Sequence, residues 1–93
     1  MTVRHSKRIE KSLKKNGFVK LATHHNRYFY KKISGGDTLI HIFISHGSKD
    51  YGDMLLSTLA DQLKLLKKEL LRFIDGEMSQ EEYEKILKIK GFI

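Results

Sequence analysis

The chain has 93 residues, of which 40% are hydrophobic, and it contains no cysteine, proline or tryptophan. This length suits one domain with one hydrophobic core, and the missing cysteines exclude disulfides and thiolate metal sites. No apolar run reaches the roughly 18–20 residues of a membrane span, and the N-terminus lacks the apolar stretch of a signal peptide. We therefore expect a soluble, cytoplasmic domain that is not attached to a membrane.

Positive charge is concentrated in the first third of the chain. The sequence has 18 Lys and Arg against 11 Asp and Glu, a net charge of +7. Residues 1–32 hold ten basic residues and one acid, Glu10, whereas residues 33–93 hold eight basic and ten acidic residues. Clustered cations attract polyanions, because neutralising phosphates releases counterions. The pattern indicates a nucleic-acid-binding surface, and the alternative is a basic helix that only faces solvent.

The first predicted element is a helix over residues 6–16. Ser6 is a suitable N-cap, Gly17 is suited to the position after the helix, and Ile9 and Leu13 form a narrow apolar stripe. The remainder of this segment is rich in Lys and Arg. The helix should therefore cover a sheet with one side and show a basic face to solvent.

Three strands are predicted next. Residues 17–22 and 25–33 form the first two, with a tight connection near Thr23–His24, and the glycines of residues 34–37 predict a hairpin turn. The third strand covers residues 38–45 and alternates between two apolar faces. One face carries Ile40, Ile42 and Ile44, and the other carries Leu39, His41 and Phe43.

The remaining chain is predicted to be helical after a loop over residues 46–52. A helix capped by Asp53 carries leucines at helical spacing and continues to a break at Asp75–Gly76. Ser79 and Glu82 form a capping box for the last helix. The order is α-β-β-β-α plus a C-terminal helical extension. It predicts an α+β domain with a three-stranded antiparallel sheet and helices on one face.

Strand alternation also predicts the exposed face of this sheet. If Phe29 points to the core, the opposite face carries His24, Tyr28, Tyr30 and Lys32, joined by His41 and Phe43. Aromatic side chains on an exposed, lysine-flanked sheet face stack on unpaired bases. Tyr28 and Tyr30 are therefore candidate base-stacking residues. The alternative is that a helix or a partner chain covers this face.

The histidines are the candidates for chemistry, except His5, which we expect to lie in a frayed terminus without a specific role. A metal site would require His24, His41 and His46 to converge, without any supporting ligand motif. A single neutral His beside a cationic surface is sufficient for RNA cleavage. It takes the 2′-OH proton, the 2′-oxygen attacks the adjacent phosphorus, and a nearby cation stabilises the developing charge. This hypothesis requires no metal and no cofactor, and its alternative is that the His is structural.

Short motifs give the sequence a family resemblance. Lys14-Lys15-Asn16-Gly17-Phe18, Ala22-Thr23-His24-His25 and Ile44-Ser45-His46-Gly47 resemble the HicA-like toxin family over about residues 5–65. In that family a basic helix ends in Gly-Phe or Gly-Trp, a Gly-Ser-His motif follows, and a later strand ends at a second histidine. Here Ala22-Thr23 replaces Gly-Ser, and Ser45 stands where the family commonly has proline. Residues 66–93 would extend this core within one domain, covering a surface or mediating self-association.

The resemblance implies a function and a set of residues. HicA-like proteins have a double-stranded-RNA-binding-domain-like fold and cleave messenger RNA as toxins of toxin–antitoxin pairs. It implies His24 as the catalytic acid and base, and a HicB-like antitoxin that covers the His24 surface. The RNA-binding candidates are Lys14, Lys15, Lys20 and Arg27, with Tyr28 and Tyr30 for stacking. The alternatives are a non-catalytic RNA-binding module of the same fold and an interaction domain that forms a homodimer through its C-terminal helices.

Overall fold

The structure, a computed structural model, describes residues 2–21, 24–44 and 50–93, with the side chains of residues 24–26 excepted. The described chain is a compact α+β domain with four helices and five strands. The strands are β1 (Arg4–His5), β2 (Phe18–Leu21), β3 (His24–Lys31), β4 (Asp37–Phe43) and β5 (Asp50–Tyr51). The helices are α1 (Ser6–Lys15), α2 (Asp53–Leu63), α3 (Lys67–Ile74) and α4 (Gln80–Lys90).

The principal sheet is antiparallel, with the strand order β2-β3-β4. Its predicted hairpin turn is confirmed. The amide of Gly35 donates to the carbonyl of Lys32 over 2.8 Å, and the amide of Lys32 donates to the carbonyl of Gly36 over 2.8 Å. Gly35 has φ +97°, which a residue with a side chain rarely adopts. A separate ladder of two residue pairs joins β1 to β5.

The helices pack against one face of the principal sheet, which we call the inner face. Its side chains from β4 are Ile40 and Ile42, followed by Ile44 just beyond the strand, and all three are buried as predicted. Leu39, His41 and Phe43 lie on the opposite side, which we call the outer face, and they are exposed as predicted. The alternation of β4 therefore has the polarity that its sequence predicts.

The start of α1 differs from the prediction by one residue. His5 is the N-cap, and its Nδ1 accepts a hydrogen bond of 3.1 Å from the amide of Lys7. Ser6 is buried as the first helical residue. His5 is also paired with Asp50 between β1 and β5, so the prediction of a frayed residue without a role is wrong. The predicted helix end is confirmed, since Gly17 has φ +90°.

The long leucine-rich helix is divided in two. Lys64 ends α2 in the left-handed conformation with φ +64°, and α3 begins after Leu66. Gly52 is the N-cap of α2, so the predicted capping role of Asp53 is wrong. The break at Asp75–Gly76 and the N-cap Ser79 are confirmed.

Helices α3 and α4 belong to the same hydrophobic core as the sheet. Buried residues from this segment are Leu70, Phe73, Ile74, Met78, Tyr83 and Leu87. Tyr83 packs against Tyr30 of β3 with ring centroids 5.1 Å apart, and its hydroxyl donates to the carbonyl of Leu63 over 2.9 Å. Residues 66–93 therefore cover the inner face. No helix among the described residues is long and apolar enough to cross a membrane.

Candidate nucleic-acid interface

Helix α1 presents a row of cations to solvent. Its buried side is formed by Ile9 and Leu13, while five basic side chains are exposed. They are Lys7, Arg8, Lys11, Lys14 and Lys15. The helix therefore has the one-sided basic face that its sequence predicts.

Two arginines near the start of α1 form ion pairs with the carboxylate of Asp75. Arg4 binds both oxygens of Asp75 through two hydrogen bonds of 2.8 Å, and Arg8 approaches the same carboxylate at 3.0 Å. The hydrogen bonds from Arg4, with the added charge of Arg8, hold the pKa of Asp75 below its usual value despite partial burial. This cluster fixes α1 and β1 against the end of α3.

Lys14 and Lys15 differ from these arginines. Among the described residues, no acidic side chain lies within ion-pair distance of either lysine. Both lie in the last turn of α1, where cations interact favourably with the carboxyl end of a helix. Lys7 and Lys11 are also exposed and outside these ion pairs, so the unpaired charge of α1 extends along the helix to the end that leads into β2.

Lys20 and Arg27 lie on different parts of the sheet. Lys20 is on the edge strand β2, with its ammonium 5.7 Å from the ring centre of Tyr28. Arg27 is on the outer face, with its guanidinium 5.7 Å from the ring centre of Phe43. The four predicted backbone-binding cations are therefore exposed, but they do not form a single patch, because α1 and the outer face lie on opposite sides of the sheet.

The predicted role of Tyr28 and Tyr30 in base stacking is wrong. Both side chains are 0% exposed and lie on the inner face under the helices. The hydroxyl of Tyr30 donates to Glu84 of α4 over 2.8 Å, and burial raises the pKa of Tyr30 to about 12. The alternation of β3 is reversed relative to the prediction, because these two large rings fill the space between sheet and helices. Phe29 accordingly points outward.

On β3 the outer face is therefore built from other residues than those predicted, whereas on β4 it carries the predicted His41 and Phe43. It carries Val19, Leu21, Arg27, Phe29, Lys31, Leu39, His41 and Phe43. Leu39 is 95% exposed, Phe43 46% and Val19 41%. Phe29 and His41 face each other across β3 and β4 with ring centroids 6.2 Å apart. An aromatic and cationic sheet face is present, but its rings are Phe29, His41 and Phe43.

The candidate catalytic residue lies only partly within the described structure. The backbone of His24 begins β3 and pairs with Leu21, whereas its side chain and that of His25 lie outside the description. Ala22-Thr23, Ser45 and the alternative base His46 also lie outside the described residues. The pairing of Arg27 with Phe43 places the start of β3 and the end of β4 at the same end of the sheet.

The metal hypothesis rests largely on the same undescribed side chains. Of its three proposed ligands, only His41 has a described side chain, and that side chain faces Phe29. Within the described part of the chain, no three His, Asp or Glu side chains are grouped so that they could hold a metal ion. The described site thus offers cations and aromatic rings, which bind phosphates and stack on bases respectively.

Sequence reasoning missed two contributors to these surfaces. The predicted exposed face depended on Phe29 pointing to the core, and the order of three successive aromatic residues does not indicate which ones face inward. His5 was dismissed for its position near the terminus, although a His before a helix can cap it. Searches against other proteins add no identity to this geometry, because no family model, no curated protein and no solved structure matches the chain.

Proposed function

We propose that this protein is a HicA-like ribonuclease of a toxin–antitoxin pair that binds messenger RNA. The observation that carries the RNA-binding part is the exposed end of α1, where Lys14 and Lys15 have no acidic partner among the described residues. An unpaired cation at this position gains most from a phosphate, because no internal ion pair must be broken first. The proposal takes the order α1-β2-β3-β4-α2 as a double-stranded-RNA-binding-domain-like core.

Cleavage is assigned to His24 on the strength of the family resemblance. The neutral imidazole accepts the proton of a ribose 2′-OH, and the 2′-oxygen attacks the adjacent phosphorus while the 5′-oxygen of the next nucleotide leaves. The imidazolium then returns the proton to the leaving oxygen. A nearby cation stabilises the charge that develops on the phosphate oxygens.

Salt dependence tests the RNA-binding part. Binding of a single-stranded RNA should weaken steeply with salt, with a slope of log K against log salt of about −0.7 for each phosphate contact. Lys14→Gln combined with Lys15→Gln should reduce the magnitude of that slope by about 1.4. Lys85→Gln, which changes an exposed lysine of α4 that lies in no ion pair among the described residues, is the matched control and should leave the slope unchanged. A wild-type slope near zero would exclude nucleic-acid binding altogether.

Cleavage is tested with an unstructured RNA and a metal chelator. His24→Ala should lower the cleavage rate roughly 10²–10⁴-fold while RNA affinity changes little. His25→Ala is the adjacent control, expected to act through stability. Loss of cleavage in His46→Ala with retention in His24→Ala would move the catalytic role to His46.

A second candidate function is a non-catalytic RNA-binding module of the same fold. Lys14 and Lys15 support it equally, because these cations explain RNA binding without any cleavage. It predicts RNA binding with no cleavage by purified wild-type protein, and a loss of about one hydrogen bond in affinity for His24→Ala. For the ribonuclease, the resemblance further suggests a HicB-like antitoxin that covers the His24 surface. Co-expression with such an antitoxin should abolish cleavage.

A further inference from the structure

The outer face of the sheet is a surface that the proposed function does not use. All four helices pack on the inner face, so the side chains of Val19 and Leu39 remain exposed. Phe43 is 46% exposed and also borders a depression lined by Leu55 and Gln62 of α2. Among the described residues of the outer face, the positive charges are Arg27 and Lys31, and the acidic residue beside them is Asp37 at the hairpin end. An exposed apolar face with this charge balance fits an anionic ligand better than a neutral one.

Two pairs of planar groups stand on this face. Phe29 and His41 have ring centroids 6.2 Å apart and planes inclined by 34°. The guanidinium of Arg27 lies 5.7 Å from the ring centre of Phe43. Because β4 carries both His41 and Phe43 two residues apart, the pairs are separated by about 7 Å along the strand. Successive planar groups at this spacing can each stack on one base of an extended strand.

A duplex does not meet these requirements, because its bases are stacked on each other and show only their edges. Unpaired bases expose their flat surfaces, and every base has one, so such a face binds single strands with little sequence preference. The phosphates that connect the bases would then meet Arg27 and Lys31. A depression lined by Leu21, Phe29, Asp37, Thr38 and His41 lies beside the first pair, so its apolar side chains are flanked by one carboxylate.

We propose that the outer face of the sheet binds unpaired nucleotides of single-stranded RNA, with bases stacked on the Phe29–His41 and Phe43–Arg27 pairs. This deepens the proposed function, on which it rests, by making single strands the substrate class. It also separates two tasks. Lys14 and Lys15 on the helical side bind phosphates of any RNA, and the outer face selects for unpaired bases.

The test compares binding of a single strand with binding of a duplex. Both are 2′-O-methyl RNAs of about 12 nucleotides, so that the protein cannot cleave them, and affinity is measured by fluorescence anisotropy. Phe43→Ala should weaken single-strand binding roughly 5–150-fold, the usual effect of removing one stacking ring, and leave duplex binding within twofold. Phe43→Trp should retain single-strand binding. Ile89→Ala, which truncates a side chain 77% exposed on α4, is the control and should change neither.

Each of the other outcomes contradicts this inference, the proposed function or both. If Lys14→Gln with Lys15→Gln weakens binding while Phe43→Ala does not, RNA binding stands and the outer face is excluded. If the wild type binds neither RNA, the proposed function fails and this inference fails with it. If light scattering shows that the wild type is a dimer and Phe43→Ala a monomer, and both bind RNA with equal affinity, the outer face is an interface between copies. Thermal unfolding of each variant confirms that it is folded.

Discussion

Phe73 offers the sharpest test of how residues 66–93 contribute to stability. Its ring is 0% exposed on α3 and lies 6.1 Å from the ring of Phe18 and 5.3 Å from that of Tyr83, measured between centroids. These neighbours come from β2 and α4, so one side chain joins three elements. Phe73 has no polar atom in its side chain, and its truncation removes only apolar contacts.

Phe73→Ala should lower the free energy of unfolding by about 3–5 kcal/mol, through lost burial and the cavity left behind. A domain of this size has a total stability of roughly 5–14 kcal/mol, so the variant should be close to unfolding. Its Tm should fall by about 4–8 °C for each kcal/mol. Urea unfolding followed by circular dichroism measures the change, with Ile89→Ala as the control, expected within about 0.5 kcal/mol of wild type.

A cost below about 1 kcal/mol for Phe73→Ala would contradict this reasoning. It would mean that α3 is peripheral and that the core over residues 1–65 is stable by itself. An unchanged m-value is also required, since a lower m-value would indicate that the variant is already partly unfolded.

Three further predictions concern the same packing. Deleting residues 67–93 should expose the inner face, giving an aggregating or unfolded chain that binds a hydrophobic dye, and a soluble monomer of equal stability would contradict it. In a Phe92→Ala background, which removes the ring 5.4 Å from the Lys64 ammonium, Lys64→Gly should stabilise the protein by about 0.5–1 kcal/mol in urea unfolding, because Lys64 has φ +64° and glycine adopts this conformation without strain. Asp75→Asn should cost about 1 kcal/mol at neutral pH. The pKa of Asp75 is lowered in the folded protein, so this stability is present above the unfolded pKa of about 4 and is lost as pH falls through the lowered value, where variant and wild type should converge.

Local signals predicted the elements that depend on neighbouring residues in the chain. The glycine turn at residues 34–37, the end of α1 at Gly17 and the N-cap Ser79 each rest on one or two residues with a strong conformational preference. The alternation of β4 was predictable because its inward positions are all isoleucine. In each case the alternative conformation would expose an apolar side chain, or leave a backbone amide or carbonyl without a hydrogen bond, within a few residues of the signal.

The division between α2 and α3 could not be predicted in the same way. The leucines keep helical spacing across it, and the residue at the break is Lys64 rather than glycine or proline. A local capping bond and one tertiary contact hold it there. The amide of Leu65 donates to the carbonyl of Ala60 over 2.9 Å, and Lys90 of α4 donates to the carbonyl of Lys64 over 2.9 Å. A residue 26 positions away along the chain thus helps to end the helix.

The face of β3 was decided by a partner still more distant in sequence. Burial of Tyr30 is helped by an acceptor for its hydroxyl, which Glu84 supplies from α4, whereas the buried hydroxyl of Tyr28 has no partner among the described residues. The same carboxylate accepts a hydrogen bond of 3.0 Å from the amide of Ile33. One acid therefore accepts hydrogen bonds from β3 and from the hairpin that follows it. Burial alone would raise the pKa of Glu84, but the hydrogen bonds from Ile33 and Tyr30 and the nearby charge of Lys88 hold it below its usual value. The carboxylate therefore stays ionised at neutral pH.

This reversal changes the residues of the RNA hypothesis more than its chemistry. Phe29 takes the place of Tyr28 and Tyr30 on the outer face. Because the side chains of β3 alternate, Arg27 also lies on this face, beside Phe43. Had the tyrosines been outside, their hydroxyls could have bound base edges and given sequence preference. Phenylalanine has no such group, so under our proposal the rings of Phe29 and Phe43 would stack on unpaired bases without reading their sequence. Any sequence preference in cleavage must then arise elsewhere, and Phe43→Ala should lower the rate on every unstructured RNA by a similar factor.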